Sequence, residues 1–145
     1  MRYAPSEAEF ACLSEMDEPE RLHYFITRSM ECEEVWSLRN ADGWATHETP
    51  TGEVLPLWPY RVLAEAFVSV ETAADAVSLE HFVYRELNGM NLAGIKLEIM
   101  PLKTVPIENT SEIVPGVRRG MRIGAAELFH IFDRKLDDEQ YFIEG

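Results

Sequence analysis

Between Glu34 and Tyr60 the chain reads EVWSLRNADGWATHETPTGEVLPLWPY, and this stretch constrains the fold more than any other. Side chains alternate faces along a strand, so in the extended run from Val35 to Leu38, Trp36 and Leu38 point one way and Val35 and Ser37, with Arg39 beyond, the other. Asn40-Ala-Asp-Gly43 is a strong turn signal, and Trp44 to His47 reads as the returning strand. The register decides which face Trp44 takes. An even loop puts Trp44 beside Arg39 as a cation–π pair, on the face opposite Trp36. A three-residue loop turns Trp44 to the Trp36 side.

All three tryptophans of the chain lie in this stretch. Each can hide roughly 150–250 Å², worth on the order of 4–6 kcal/mol gross, which a small domain does not readily leave in water. Trp36 is therefore expected in the core. Thr49-Pro-Thr-Gly52 is a second turn, and Glu53 to Trp58 is extended. Pro56 has no amide hydrogen, so this segment is expected to be an edge strand at best. Trp58, between Leu57 and Pro59, is expected to cover the sheet edge. Its neighbours Tyr60 and Arg61 suit a recognition patch, because Trp, Tyr and Arg dominate interface energetics.

On either side the periodicity is helical. Ser6 to Met16 reads as a short helix capped by Ser6, with Phe10 and Leu13 three apart. A second helix restarts at Asp17-Glu18-Pro19-Glu20, with Leu22, Phe25, Ile26 and Met30 as its apolar stripe. Val62, Leu63, Ala66, Phe67 and Val70 make a further amphipathic face. Ser78 caps a helix with Leu79, Phe82, Val83 and Leu87 inward, ended by Asn88-Gly89. Ile95, Leu97 and Ile99 alternate with Lys96, Glu98 and Met100, the pattern of a half-buried strand. Residues 101–122, with Pro101, Pro106, Pro115, Gly116 and Gly120 and no clear period, read as a long loop. Ala125, Leu128, Phe129, Phe132 and Leu136 form a last amphipathic helix. The expected fold is α+β: a small antiparallel sheet of three to four strands with helices mainly on one face, residues 1–105, followed by a loop and C-terminal helix, residues 106–145, packed on the same domain.

Length and charge narrow the function. A chain of 145 residues fits one domain. Its formal net charge of −13 lies beyond the magnitude of roughly 2–8 usual for a small domain. Residues 1–50 hold eleven acids and four bases, a net of −7. That field repels phosphate backbones, so nucleic acid is not an expected partner, and it speeds encounter with a basic one. No apolar run reaches the roughly 18 residues of a membrane helix, and the N-terminus lacks a signal-peptide core, so the expected address is the cytoplasm. Cys12 and Cys32 belong to no Cys-x-x-Cys pair and read as two buried free thiols.

Chemistry-bearing motifs are scarce. The sequence contains no Walker loop, dinucleotide fingerprint, zinc-protease motif or nucleophile elbow. His23, His47, His81 and His130 are scattered, with none four apart on a helix, so neither a metal nor a cofactor is expected. Asn109-Thr-Ser111 fits the glycosylation pattern but is meaningless in a chain without an export signal. Glu80 and His81 follow a helix cap, yet adjacent helical residues diverge by about 100° and suit a surface pair better than joint catalysis.

Tyr24-Phe-Ile26, Glu34-Val-Trp-Ser-Leu38, Gly43-Trp-Ala45, Leu55-Pro-Leu-Trp-Pro-Tyr60, Ser78-Leu-Glu-His-Phe82 and Gly94-Ile-Lys-Leu-Glu98 occur in the order seen in a bacterial domain-of-unknown-function family, number 2750, which the chain resembles over roughly residues 15–105. The resemblance implies a small cytoplasmic α+β bacterial domain and supplies no activity. Residues 106–145 fall outside it.

The expectation is a non-enzymatic acidic interaction protein with binding residues among Arg39, Trp44, Trp58, Tyr60 and Arg61. In its specific form this is an immunity- or antitoxin-like inhibitor of a basic protein partner. The alternative is a small-molecule binder or enzyme acting on an anionic ligand at Trp58, Tyr60 and Arg61, where arginine flanked by aromatics suits a carboxylate or phosphate. Self-association through the C-terminal helix is a third.

Overall fold

Two proline-bearing segments expected at the margins, around Pro56 and after Pro101, turn out to lie within paired strands of a computed structural model. It describes residues 8, 12–13, 15–106, 113–118 and 120–138. The expected helix at Ser6–Met16 and the Asn109 motif lie largely or wholly outside the described residues.

The first long helix, α1 (Glu18–Cys32), starts as its sequence requires. Asp17 Oδ1 accepts from Glu20 N at 2.9 Å, Glu20 reaches back to Asp17 N, and Pro19 sits in the first turn. The helix stops at Glu33, in the left-handed region at φ 58°. The strand β1 (Glu34–Asn40) follows, then β2 (Gly43–Trp44), β3 (His47–Thr49) and β4 (Gly52–Leu57). Next come the short helix α2 (Arg61–Glu65), β5 (Ala73–Ser78) and α3 (Leu79–His81), which runs through a π turn (Phe82–Glu86) into α4 (Leu87–Ala93). The described residues close with β6 (Lys96–Ile99), β7 (Leu102–Pro106), β8 (Ile113–Arg118), β9 (Met121–Gly124) and α5 (Ala125–Asp138).

The class is α+β, with the strands divided between sheets. One has the order β2-β1-β5, a second β3-β4-β6-β9, and β7 and β8 form a separate hairpin. Pairing is antiparallel except for β4 with β6. Residues 101–122, expected as loop, thus hold β7, β8 and the start of β9: β7 and β8 pair with each other and β9 pairs with β6, and this pairing overrides weak local periodicity. The return strand expected from Trp44 to His47 breaks at Ala45–Thr46, with its two halves in different sheets.

The structure corrects the edge-strand reading of Pro56. β4 lies between β3 and β6, but β3 pairs only as far as Val54. Beyond it the same side of β4 faces β1, where Trp36 and Trp58 exchange main-chain hydrogen bonds of 2.8 and 2.9 Å. Pro56 lies two residues before Trp58, so its nitrogen and carbonyl turn to that same side. No strand donor is required of it there, and its carbonyl accepts from Ser37 Oγ at 2.6 Å.

The core runs beneath both sheets. Phe25 of α1 meets Phe132 of α5 edge to face at 5.9 Å, so the C-terminal helix is seated against the first. In β6, Leu97, Glu98 and Ile99, with Met100 after them, are all buried. The half-buried expectation therefore fails: β6 is a central strand covered on both faces, and Glu98 is tolerated there because its carboxylate accepts from Gly120 N at 2.9 Å. Asn88-Gly89 does not end the helix, which continues to Ala93 and is capped by Gly94 at φ 74°. Of the cysteines, Cys32 is buried and Cys12 exposed.

Candidate functional site

The turn between β1 and β2 has an even loop: Arg39 faces Trp44 and Asn40 faces Gly43 in the ladder. Asn40 Oδ1 accepts from Asp42 N at 2.9 Å, and Gly43 takes φ 127°, which L side chains rarely adopt. Two loop residues keep Trp44 on the Arg39 face. The Arg39 guanidinium lies 3.8 Å from the Trp44 ring centroid, a close cation–π stack.

Two further elements complete the group. Asp75 of β5 stands opposite Ser37, diagonal to Arg39 on the same face, and accepts from Arg39 Nε at 2.5 Å. On the other flank, Trp44 Nε1 donates to Glu86 Oε2 at 3.4 Å, and Glu86 Oε1 lies 3.2 Å from His81 Nε2. In an α-helix, residues five apart diverge by about 140° around the axis. The π turn, closed by Leu87 N donating to Phe82 O, brings His81 and Glu86 to one side. The result is a chain of contacts, Asp75–Arg39–Trp44–Glu86–His81, assembled from a strand, a hairpin and a helix.

Its members are partly open to solvent: side-chain exposure is 40% for Arg39, 49% for Asp75 and 53% for His81. Exposed ion pairs contribute at most about 1 kcal/mol each, and an exposed cation–π contact roughly 0.5–1 kcal/mol. The group therefore adds little to stability. It does hold a tryptophan and an arginine in one fixed geometry at the surface, the residue types that dominate binding interfaces.

The other three expected binding residues are not gathered there. Trp58 and Tyr60 are 0% and 1% exposed. Trp58 Nε1 donates to Pro101 O at 2.8 Å and its ring packs on Phe67 at 5.1 Å, while Tyr60 meets Tyr24 edge to face. Arg61 is exposed, pairs with Glu65 at 2.9 Å, and its guanidinium lies 5.9 Å from the Trp36 ring. Trp58, Tyr60 and Arg61 therefore do not form one open surface patch. The roles expected of two tryptophans are exchanged: Trp58 is core, and Trp36 is half-buried with its Nε1 donating to Glu34 at 2.9 Å.

Asp75, Glu86 and His81 are the members that sequence reading missed as a group. Ala73-Ala-Asp-Ala-Val-Ser78 has no strong strand pattern, and a π turn has no sequence signature. Elsewhere, Tyr84 of the π turn donates to Asp133 of α5 at 3.0 Å; burial, then this carboxylate, raise the phenol's pKa and keep it protonated. A groove of about 400 Å³ runs along α1 past Met16, Pro19, His23 and Tyr24, sharing no residue with the Trp44 group. Among the described residues no three His, Cys, Asp or Glu side chains form a metal-holding group, and no helix is long and apolar enough to cross a membrane.

Compared with known proteins, residues 22–111 match the model of one family, described as "Protein of unknown function (DUF2750)". Neither a curated protein nor a solved structure matches the chain.

Proposed function

The chain belongs to this family of unknown function, and we propose that it is a non-enzymatic interaction protein that binds a basic protein through its Arg39–Trp44 face. The observation that carries this reading is the stacked Arg39–Trp44 pair, flanked by Asp75 and Glu86 on a partly exposed surface. A net charge of −13 supports it, since complementary fields accelerate encounter and discourage acidic competitors. A preformed aromatic anchor costs little entropy to dock. In its specific form the protein is an immunity- or antitoxin-like inhibitor working in a bacterial cytoplasm, by analogy with other small acidic domains of that kind.

Affinity capture from the native host tests the reading, with wild type, Trp44→Ala and Arg39→Ala run at low and high salt. The expected result is a basic protein retained by wild type, weakened about 30-fold or more by Trp44→Ala, as for a hot-spot residue worth at least 2 kcal/mol, and weakened by salt. Failure to retain any basic protein at low salt, or equal retention by Trp44→Ala, overturns it.

A further inference from the structure

β5 is the longest edge strand of the two larger sheets. The other terminal strands, β2, β3 and β9, run to two, three and four residues, whereas β5 has six, all in unbroken register with β1. Natural edges of this length are usually blunted by lysine, proline or a bulge. Ala73-Ala-Asp-Ala-Val-Ser78 has none of these, and its one charge is Asp75.

The direction of its main-chain groups follows from β1. Trp36 exchanges its hydrogen bonds with Trp58, and Leu38 O accepts from Ala45 N at 2.8 Å, so both residues turn their main chain away from β5. Their register partners are Ala76 and Ala74. By the alternation of an antiparallel ladder these two turn their own N–H and C=O groups outward. Ala76 N donates to Asp75 Oδ1 at 3.0 Å, the other oxygen of the carboxylate that holds Arg39. The helix α2 does not occupy this edge: it contacts both β1 and β5, and Arg61 reaches the Trp36 ring, which places it over the Trp36–Ala76 face.

We infer that the β5 edge docks an extended basic segment of a protein partner by strand addition, with a Lys or Arg of that segment reaching Asp75. Main-chain hydrogen bonds at Ala74 and Ala76 supply affinity, and alternate side chains supply selectivity. Charge selects the occupant. Between Arg61 and Arg85 the chain has Glu65, Glu71, Asp75 and Glu80 and no lysine or arginine. A second copy would bring its own Asp75 and a second net charge of −13 to the same edge, which like-charge repulsion opposes. The inference rests on the proposed function and deepens it, because Asp75 links this edge to the Arg39–Trp44 pair.

The test uses the full chain, isotopically labelled, and three synthetic octapeptides: alternating Lys/Val, alternating Glu/Val, and the Lys/Val peptide N-methylated along its backbone. The Lys/Val peptide should slow amide exchange at Ala74 and bind at least about tenfold more tightly than either counterpart, the loss expected when one or two hydrogen bonds are removed. Ala76→Pro should weaken it similarly while leaving exchange at Asp75 and Val77, which face β1, unchanged. Equal binding of the N-methylated or Glu/Val peptide, or unchanged exchange at Ala74, overturns strand addition. A host partner lost by Trp44→Ala but retained in full by Ala76→Pro overturns the edge inference and leaves the proposed function standing. Docking of the Lys/Val peptide without any captured host protein does the reverse.

Discussion

Trp36 and Trp58 exchange both of their main-chain hydrogen bonds, at 2.8 and 2.9 Å, and this isolated bridge joins the end of β4 to the middle of β1. It brings the β2-β1-β5 sheet against the β3-β4-β6-β9 sheet. Trp58 also anchors the chain beyond β6 through its indole bond to Pro101 O. Replacing Trp58 by Ala should cost about 3–5 kcal/mol, the usual cost of emptying a buried aromatic site, and Trp58→Phe less. Trp36→Ala, at a half-buried site, should cost clearly less than Trp58→Ala. Urea unfolding of the three variants checks the order; equal losses at Trp36 and Trp58 would contradict the burial pattern.

Gly120 and Gly89 make opposite predictions for the same substitution. A Cβ on Gly120 would sit 2.2 Å from Ile99 O, so the backbone must move and the Gly120 N bond to buried Glu98 is disturbed. Gly120→Ala should therefore destabilise by roughly 1–3 kcal/mol, in the range of overpacked sites. Gly89 lies within α4 with open space around it, and Gly89→Ala should stabilise by about 0.5–1 kcal/mol. Thermal unfolding of the two variants against wild type reads both signs.

The Arg39–Trp44 stack should matter far more for binding than for folding. A double-mutant cycle on unfolding free energy, using Arg39→Ala and Trp44→Ala, should return a coupling of about 0.5–1 kcal/mol. Coupling above about 2 kcal/mol would show that the pair is a structural brace, and would weaken its assignment as a binding surface.

The two thiols should react at very different rates. Cys12 is exposed, whereas Cys32 is buried and its pKa is raised, first by burial and then by the nearby Glu34 and Glu31 carboxylates. Ellman's reagent at neutral pH should label Cys12 promptly and Cys32 only as the protein unfolds. A raised folded-state pKa also fixes the sign of the pH effect. The stability contribution of Cys32 is fully present below its unfolded pKa and is lost as pH rises through the folded value. Cys32→Ser should flatten that alkaline loss; an unchanged alkaline profile would assign it to another group.

Helices were the most legible part of the fold. The α1 start was written in Asp17, Pro19 and Glu20, because a capping box is a contact between neighbours in sequence. The face of Trp44 was legible for a similar reason once the loop parity was known. β5 was not legible, since alanines do not declare a strand; its conformation comes from six register pairs with β1, some forty residues away along the chain at their most distant. Pro56 misled because proline forbids a donor, and only the course of β1 shows that no strand donor is called for on that side.

The sequence by itself determined the α+β class and the acidic field, and through a period of two it reduced the face of Trp44 to the parity of one turn, which the β1–β2 register shows to be even. The tertiary structure decided which tryptophan is buried. Alternation says only that neighbours point apart; what covers each face depends on elements brought in from far along the chain. Phe67 and Pro101 enclose Trp58, while Trp36 keeps one side open toward Arg61. Packing likewise placed Asp75 and Glu86 beside the Arg39–Trp44 pair, through strand pairing and a π turn that no local pattern announces.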